Sequence, residues 1–240
     1  MFDFESEANR LENLALHSHY AEGVLQTSIQ FGYEALSKHA RGNTVLELGP
    51  AEGHGTAVLV ELFDEVTVVD SSAQFCLELT KRFPEIAVVE SLFEQYEPSG
   101  RFDSIVCSHV LEHVEDPRAL VERMSHWLEP GGVLIAAVPS AASLHRQAAV
   151  KMGLLHQASD LNPTDLLQGH RRVYYPRELQ GLLTDAGLKI VASGGYWLKP
   201  VSNAQIDESW SKEMIEAFLV LGQDYPEIAA EIFAVATTDV

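Results

Sequence analysis

One segment constrains this chain more than any other: Val45-Leu46-Glu47-Leu48-Gly49-Pro50-Ala51-Glu52-Gly53-His54-Gly55-Thr56. A short β-rich apolar run ends in an acid, a loop of small residues follows, and then a helix-compatible stretch begins. Small residues in such a loop let backbone approach a ligand closely. About 20 residues on, a second run, Val66-Thr67-Val68-Val69, ends in Asp70, the spacing at which an acid accepts the two hydroxyls of a ribose. Together these features predict a nucleoside-containing cofactor lying across the carboxyl ends of a parallel sheet.

The loop itself argues against a dinucleotide. A pyrophosphate needs a G-x-G-x-x-G cradle and an uncovered helix N-terminus. Here Pro50 has no N–H to give, and Glu52 adds negative charge where a phosphate would sit. Glu47 instead suits a ligand with a cationic ammonium. S-adenosylmethionine has a ribose, an ammonium and a sulfonium, and no phosphate. A nicotinamide-dependent oxidoreductase or epimerase would share Asp70 but not Pro50-Ala51-Glu52, and no Tyr-x-x-x-Lys pair has the usual placement. A binding protein that keeps the fold without turnover fits the same residues.

Size and charge narrow the partners. The 240 residues suffice for one α/β domain with additions, and the 46% hydrophobic content supports a core. A formal net charge of −19 repels nucleic-acid phosphates and anionic membrane surfaces, so a small-molecule partner is expected. Cys76 and Cys107 read as buried free thiols. The N-terminal residues are acidic and carry no long apolar run, so a cytoplasmic location is expected. Nothing in the sequence sets the oligomeric state.

Strands and helices alternate. Residues 5–40 read as helix on the spacing of Leu11, Leu14, Ala15, Leu25, Ile29 and Leu36, closed by Gly42-Asn43. Strands are predicted at 44–48, 66–70, 86–90, 102–108, 133–139 and 188–193, with a last one at 230–237. Helices are predicted at 54–63, from a Ser71-Ser72 cap to Arg82, from Asp116-Pro117 to Leu128, at 176–186 and at 211–222, with Pro130-Gly131-Gly132 as a turn. Residues 140–170 break the rhythm and read as an insertion, placed to act as a lid. The expected plan is a single domain over 1–240: N-terminal helices (1–40), a cofactor-binding core (41–139), the lid (140–170) and a C-terminal part (171–240).

The motifs form an ordered set. Glu47-x-Gly49-x-Ala51-x-Gly53 is followed by Phe102-Asp103-Ser104-Ile105-Val106, then Ser108-His109-Val110-Leu111-Glu112-His113-Val114, Leu128-Glu129-Pro130-Gly131-Gly132 and Gly169-His170-Arg171-Arg172-Val173-Tyr174. Over roughly residues 40–195 the chain resembles the class I S-adenosylmethionine-dependent methyltransferases, in the subgroup that modifies small molecules. The family loop is [DE]-x-G-x-G-x-G, and Ala51 replaces its middle glycine, a change easily borne at negative φ. The resemblance implies a Rossmann-like seven-stranded α/β sheet, mostly parallel with an antiparallel last strand, helices on both faces and the lid after the fifth strand.

It also implies roles. Gly49, Ala51 and Gly53 would admit the methionine and ribose parts of S-adenosylmethionine. Glu47 would order the loop or reach the ammonium. Asp70, with Ser71 beside it, would hold the ribose. Ser91, Leu92 and Phe93 would meet adenine, and Ser108 would face the ammonium. The product, S-adenosylhomocysteine, would occupy the same groups. Oxygen or nitrogen of a metabolite is the expected acceptor. His109 and His113 are the candidate general bases, with orientation or capping as the alternative for each. No metal is expected, since His109 and His113 have no obvious further ligands nearby in sequence. His145, His170, Arg171 and Trp197 are the candidate substrate residues. The Gly194-Gly195-Tyr196-Trp197-Leu198-Lys199-Pro200 stretch is not generic and marks a specialised branch.

Overall fold

The computed structural model describes residues 3–15 and 22–238, so the helical expectation over 16–21 lies outside the described residues. Seven strands, β1 (Thr44–Leu48), β2 (Glu65–Asp70), β3 (Ala87–Glu90), β4 (Phe102–Ser108), β5 (Leu128–Pro139), β6 (Lys189–Tyr196) and β7 (Glu231–Thr237), form one sheet in the order β3-β2-β1-β4-β5-β7-β6. β7 runs antiparallel to both β5 and β6, and the other strands are parallel. The described helices are α1 (Phe4–Ala15), α2 (Gly23–Leu36), α3 (Thr56–Leu59), α4 (Ala73–Arg82), α5 (Pro117–Trp127), α6 (Leu144–Lys151), α7 (Pro163–Leu167), α8 (Pro176–Asp185), α9 (Asn203–Ser209) and α10 (Lys212–Asp224).

The strands are apolar almost throughout because both faces of the sheet are covered. Successive side chains point to opposite faces. Thus Leu46, Leu48, Ile105, Cys107, Leu134, Ala136 and Val138 pack with Leu120, Met124 and Trp127 of α5 and Leu179 and Leu183 of α8. Val45, Val68, Val106, Val133, Ile135 and Ala137 pack with Tyr33 and Leu36 of α2, Leu59 of α3 and Phe75 and Leu79 of α4. Cys76 and Cys107 are buried free thiols, and burial pushes the Cys76 thiol up to about 12.

Caps end the elements where the sequence places them. The Ser72 hydroxyl accepts from Phe75 N at the start of α4, and the Asp116 carboxylate accepts from Ala119 N at the start of α5, with Pro117 in the first turn. Four features differ from expectation. Pro130-Gly131-Gly132 is not a turn between elements: it lies inside β5, where the register slips between the Phe102–Leu128 and Ser104–Val133 pairs and Gly131 takes φ +77°. The helix expected at 54–63 is regular only over α3, although Ala57 N to Gly53 O (3.1 Å) and Phe63 N to Leu59 O (3.0 Å) continue helical turns on both sides. The 140–170 insertion carries two helices, α6 and α7. An unexpected helix, α9, follows β6, its start fixed by a Ser202/Gln205 capping box.

The end of β6 is tightly held. Trp197 takes φ +65°, costly for a bulky residue, and its ring is fully buried with Val24, Tyr196, Ile206 and Leu219. Its N–H donates to Leu219 O (3.0 Å), and α10 crosses there at Gly222, where an added Cβ would stand 2.2 Å from Trp197 N. A backbone contact of this kind cannot be relieved by a rotamer change. Gly222→Ala is therefore expected to destabilise the fold by about 3 kcal/mol, read as a lower urea midpoint at unchanged slope.

Candidate active site

The carboxyl edge of the parallel strands carries a cavity of about 510 Å³. The floor comes from strand ends: Gly49 and Ala51 after β1, Asp70 and Ser71 after β2, His109 after β4, and Pro139 and Ser140 after β5. β7 runs the other way, so its first residue, Glu231, reaches the same edge. The cover comes from Leu11 and Leu14 of α1, Leu25 and Ile29 of α2, His145 and Arg146 of α6, and the α7 and α9 regions. A smaller cavity of about 60 Å³ lies alongside, bounded by Tyr33, Gly49, Ala51, Gly55, Ser108 and His109.

Three of the loop's positions adopt left-handed backbone: Gly49 (φ +69°), Ala51 (φ +47°) and Gly53 (φ +77°). Ala51 thus does not meet the negative-φ condition under which alanine replaces the family's glycine without strain. Ala51 is held in the strained region by its neighbours, and its N–H points at Asp70 Oδ2 (3.4 Å). At Gly49 an added Cβ would approach Val110 Cγ2 to 2.8 Å. Gly53 turns away from the cavity, its missing Cβ facing Leu79 and Phe83. Glu47 is fully buried beneath the loop and lines neither cavity. Its Oε2 accepts from Thr56 Oγ1 (2.6 Å), Tyr33 packs on Gly55 beside it, and burial raises its carboxyl to about 7. Asp70 turns a carboxylate into the cavity. Oδ1 accepts from Ser72 N (2.9 Å), and burial lifts its pKa to about 6 against the pull of these backbone bonds.

The side of the cavity beyond β4 is built from imidazoles and acids. His109 sits at φ +56°, with Nδ1 3.4 Å from Glu112 Oε1 and Nε2 3.7 Å from Glu231 Oε2. Burial lowers its pKa, but the two carboxylates outweigh burial and raise it to about 9. Its imidazolium in turn helps hold the buried Glu112 at about 2, against desolvation. His113 stacks edge-to-face on His170 with ring centroids 4.7 Å apart, and burial takes it down to about 4. Glu112, His113 and His170 each offer a ligand atom, all within 4.8 Å of one another. His145 lines the cavity and is held neutral by burial, down to about 2.

Other expected site residues lie elsewhere. The Ser91 hydroxyl donates to Leu92 O (2.9 Å), and of the 91–93 stretch only Phe93 lines the main cavity. Arg171 pairs with Glu7 (2.9 Å) and donates to His113 O (2.8 Å), while Arg172 donates to Val114 O (2.7 Å) and Glu115 O (3.0 Å). The arginine pair thus staples the 111–115 segment and does not face the cavity. Trp197 does not line it either. Lys199 does, and was missed with Glu231: each stands outside the family motifs.

This donor set fits S-adenosylmethionine: an acid turned toward a ribose position, a glycine gap at Gly49 for close backbone approach, and apolar walls from Phe75 and Phe93. A family model described as a methyltransferase domain matches residues 18–193. A probable S-adenosylmethionine-dependent methyltransferase of Mycolicibacterium smegmatis is 26% identical over 212 residues, 86% of this chain and 77% of that one. A ubiquinone biosynthesis O-methyltransferase of Xanthomonas axonopodis pv. citri is 25% identical over 185 residues, 73% of this chain and 74% of its own. Among solved structures, the 1,6-didemethyltoxoflavin-N1-methyltransferase of Burkholderia thailandensis, with its substrate and S-adenosylhomocysteine bound, superposes with TM-score 0.65 at 18% identity, covering 100% of this chain and 92% of that one. The chain belongs to the class I S-adenosylmethionine-dependent methyltransferases, and S-adenosylmethionine is its cofactor. The nicotinamide alternative is thereby set aside. Among the described residues, no helix is long and apolar enough to cross a membrane.

Proposed function

We propose that the chain transfers the methyl group of S-adenosylmethionine to an oxygen or nitrogen of a small molecule. The observation that carries this reading is the one continuous cavity that joins Gly49 and Asp70 to the His109–Glu231 wall under a helical cover. A methyl group on sulfonium is already activated, so the protein's task is alignment and exclusion of water. In this reading Asp70 accepts the ribose hydroxyls and Gly49 and Ala51 pass along the methionine part, with Glu47 ordering the loop from below. Ser108 and His109 hold the ammonium end through backbone carbonyls, and Phe93 flanks adenine. His109 and His113 compete as proton acceptors. His113 has the free-base form at physiological pH, though its burial makes it a weak base, whereas His109 is already protonated. The −19 net charge supports a small acceptor over nucleic acid.

The test is transfer of labelled methyl from S-adenosylmethionine to panels of phenols, amines, carboxylic acids, oligonucleotides and protein. Label in a small molecule is the expected result. Label only in macromolecules, or tight cofactor binding with no transfer to any panel, would overturn the proposal.

A further inference from the structure

The specialised stretch after β6 places a cation where the rest of the chain has few. Trp197, locked at positive φ and buried, turns the backbone so that Lys199 returns over the indole, Nζ 4.5 Å from the ring centroid. Nζ donates to Asn203 Oδ1 (3.0 Å), and both residues line the cavity. Among the described residues, no carboxylate makes an ion pair with Lys199.

Two acids, Glu231 and Asp165, act on it at longer range, but each has a nearer cation. Arg146 nearby is fully committed: it holds Asp165 Oδ2 with both Nη atoms (3.0 Å each) and caps the carbonyls of Ala158 and Asp160. Asp165 is thus spent on Arg146. Glu112 and Glu231 share the single imidazole of His109, at 3.4 and 3.7 Å. Beside the lysine, His145 Nδ1 is buried with no hydrogen-bond partner. Lys199 is half-buried at the cavity wall, and no carboxylate stands within ion-pair distance of its ammonium, so an anionic ligand in the cavity would gain a direct partner there. Burial pulls the Lys199 pKa down, which an incoming anion would reverse.

We infer that the methyl acceptor carries an anionic group of carboxylate size, which pairs with Lys199 and Asn203 and is met by His145 on the α6 side of the cavity. This deepens the proposed function and rests on it: Lys199 orients the acceptor by its acidic end and leaves its oxygen or nitrogen toward the His109–Glu231 wall. Lys199 is a binding residue in this scheme and moves no proton.

The experiment titrates matched probes, benzoate against benzamide and salicylate against salicylamide, into the protein saturated with S-adenosylhomocysteine. Wild type, Lys199→Met and Lys199→Arg are compared. Wild type is expected to prefer the acids by about tenfold, equivalent to about 1.4 kcal/mol. Lys199→Met should lose the preference and Lys199→Arg should retain it, with S-adenosylhomocysteine affinity unchanged in both. Equal binding of acids and amides, no binding of any acid, or a preference that survives in Lys199→Met would overturn the inference. Failure to bind S-adenosylhomocysteine in the same titration would strike the methyltransferase reading instead, so the two failures are distinguishable. Should Lys199→Met not fold, loss of the acid preference on Asn203→Ala serves as the second variant.

Discussion

Asp70→Ala is expected to weaken S-adenosylhomocysteine binding by about two orders of magnitude, since each hydroxyl bond to a carboxylate contributes about 1.5–3 kcal/mol. The loss has two parts. The ribose hydroxyls lose their acceptor, and the loop loses the carboxylate that Ser72 N and Ala51 N address. Asp70→Asn separates them, because the amide oxygen still serves Ser72 N while the charge is gone. Wild-type affinity should also depend on pH. The Asp70 pKa lies near 6 in the unliganded protein, and hydroxyl donors favour the ionised form. Binding should therefore weaken as pH falls through about 6, and the Asp70→Asn variant should show no such step. Isothermal titration at pH 5 and pH 8 reads both effects. A variant that binds as tightly as wild type would remove Asp70 from the site.

The contrast between legible and illegible parts has a physical pattern. The short apolar strand runs, the Ser72 and Asp116 caps and the Glu47–Asp70 spacing are local, and local chemistry decides them. Pro130-Gly131-Gly132 misled because the same residues serve a turn or an irregular strand, and only pairing with β4 distinguishes the two. Ala51 at positive φ is set by Asp70 and the loop's packing, not by alanine's own preference. The His109–Glu231 wall of the cavity was least legible. Glu231 joins it because β7 inserts between β5 and β6 in reverse, which carries its first residue to the carboxyl edge. Lys199 joins it through the Trp197 turn, which depends on α10 passing at Gly222. Arg171 was a candidate substrate residue, with Arg172 beside it. In the fold they answer carbonyls of the 111–115 segment, where no helix bonds exist to satisfy them.

Glu47→Gln is expected to stabilise the unliganded protein at pH 8 by about 3 kcal/mol and to flatten its stability profile below that pH. Glu47 is wholly buried, and its pKa rises from an ordinary 4.5 to about 7, chiefly through desolvation, with Asp70's charge adding to it. A raised folded pKa means that the folded state binds the proton more tightly. The associated stability is fully present below about pH 4.5 and is lost as pH rises through about 7. Glutamine keeps the volume and the acceptor for Thr56 Oγ1 but never ionises. Other shifted groups add slope of their own, so the difference between wild type and variant isolates Glu47: Glu112, held at about 2, loses its contribution only as pH falls below the ordinary carboxylate range, His109 loses its own as pH climbs from 6.5 through about 9, and the buried His113 loses its own as pH falls from 6.5 through about 4. Asp70 titrates in the same window as Glu47, so some slope should remain in the variant. Urea unfolding at pH 5 and pH 8 is the check, and parallel profiles for wild type and variant would show that Glu47 titrates alike in the folded and unfolded states, with no raised pKa. The acid thus weakens the empty fold at neutral pH, and the compensation lies in what it arranges: it fixes Thr56 and, with Tyr33, the helical turn behind the Gly49–Gly53 loop. A stability cost placed directly beneath a ligand-binding loop is the signature of a residue retained for function.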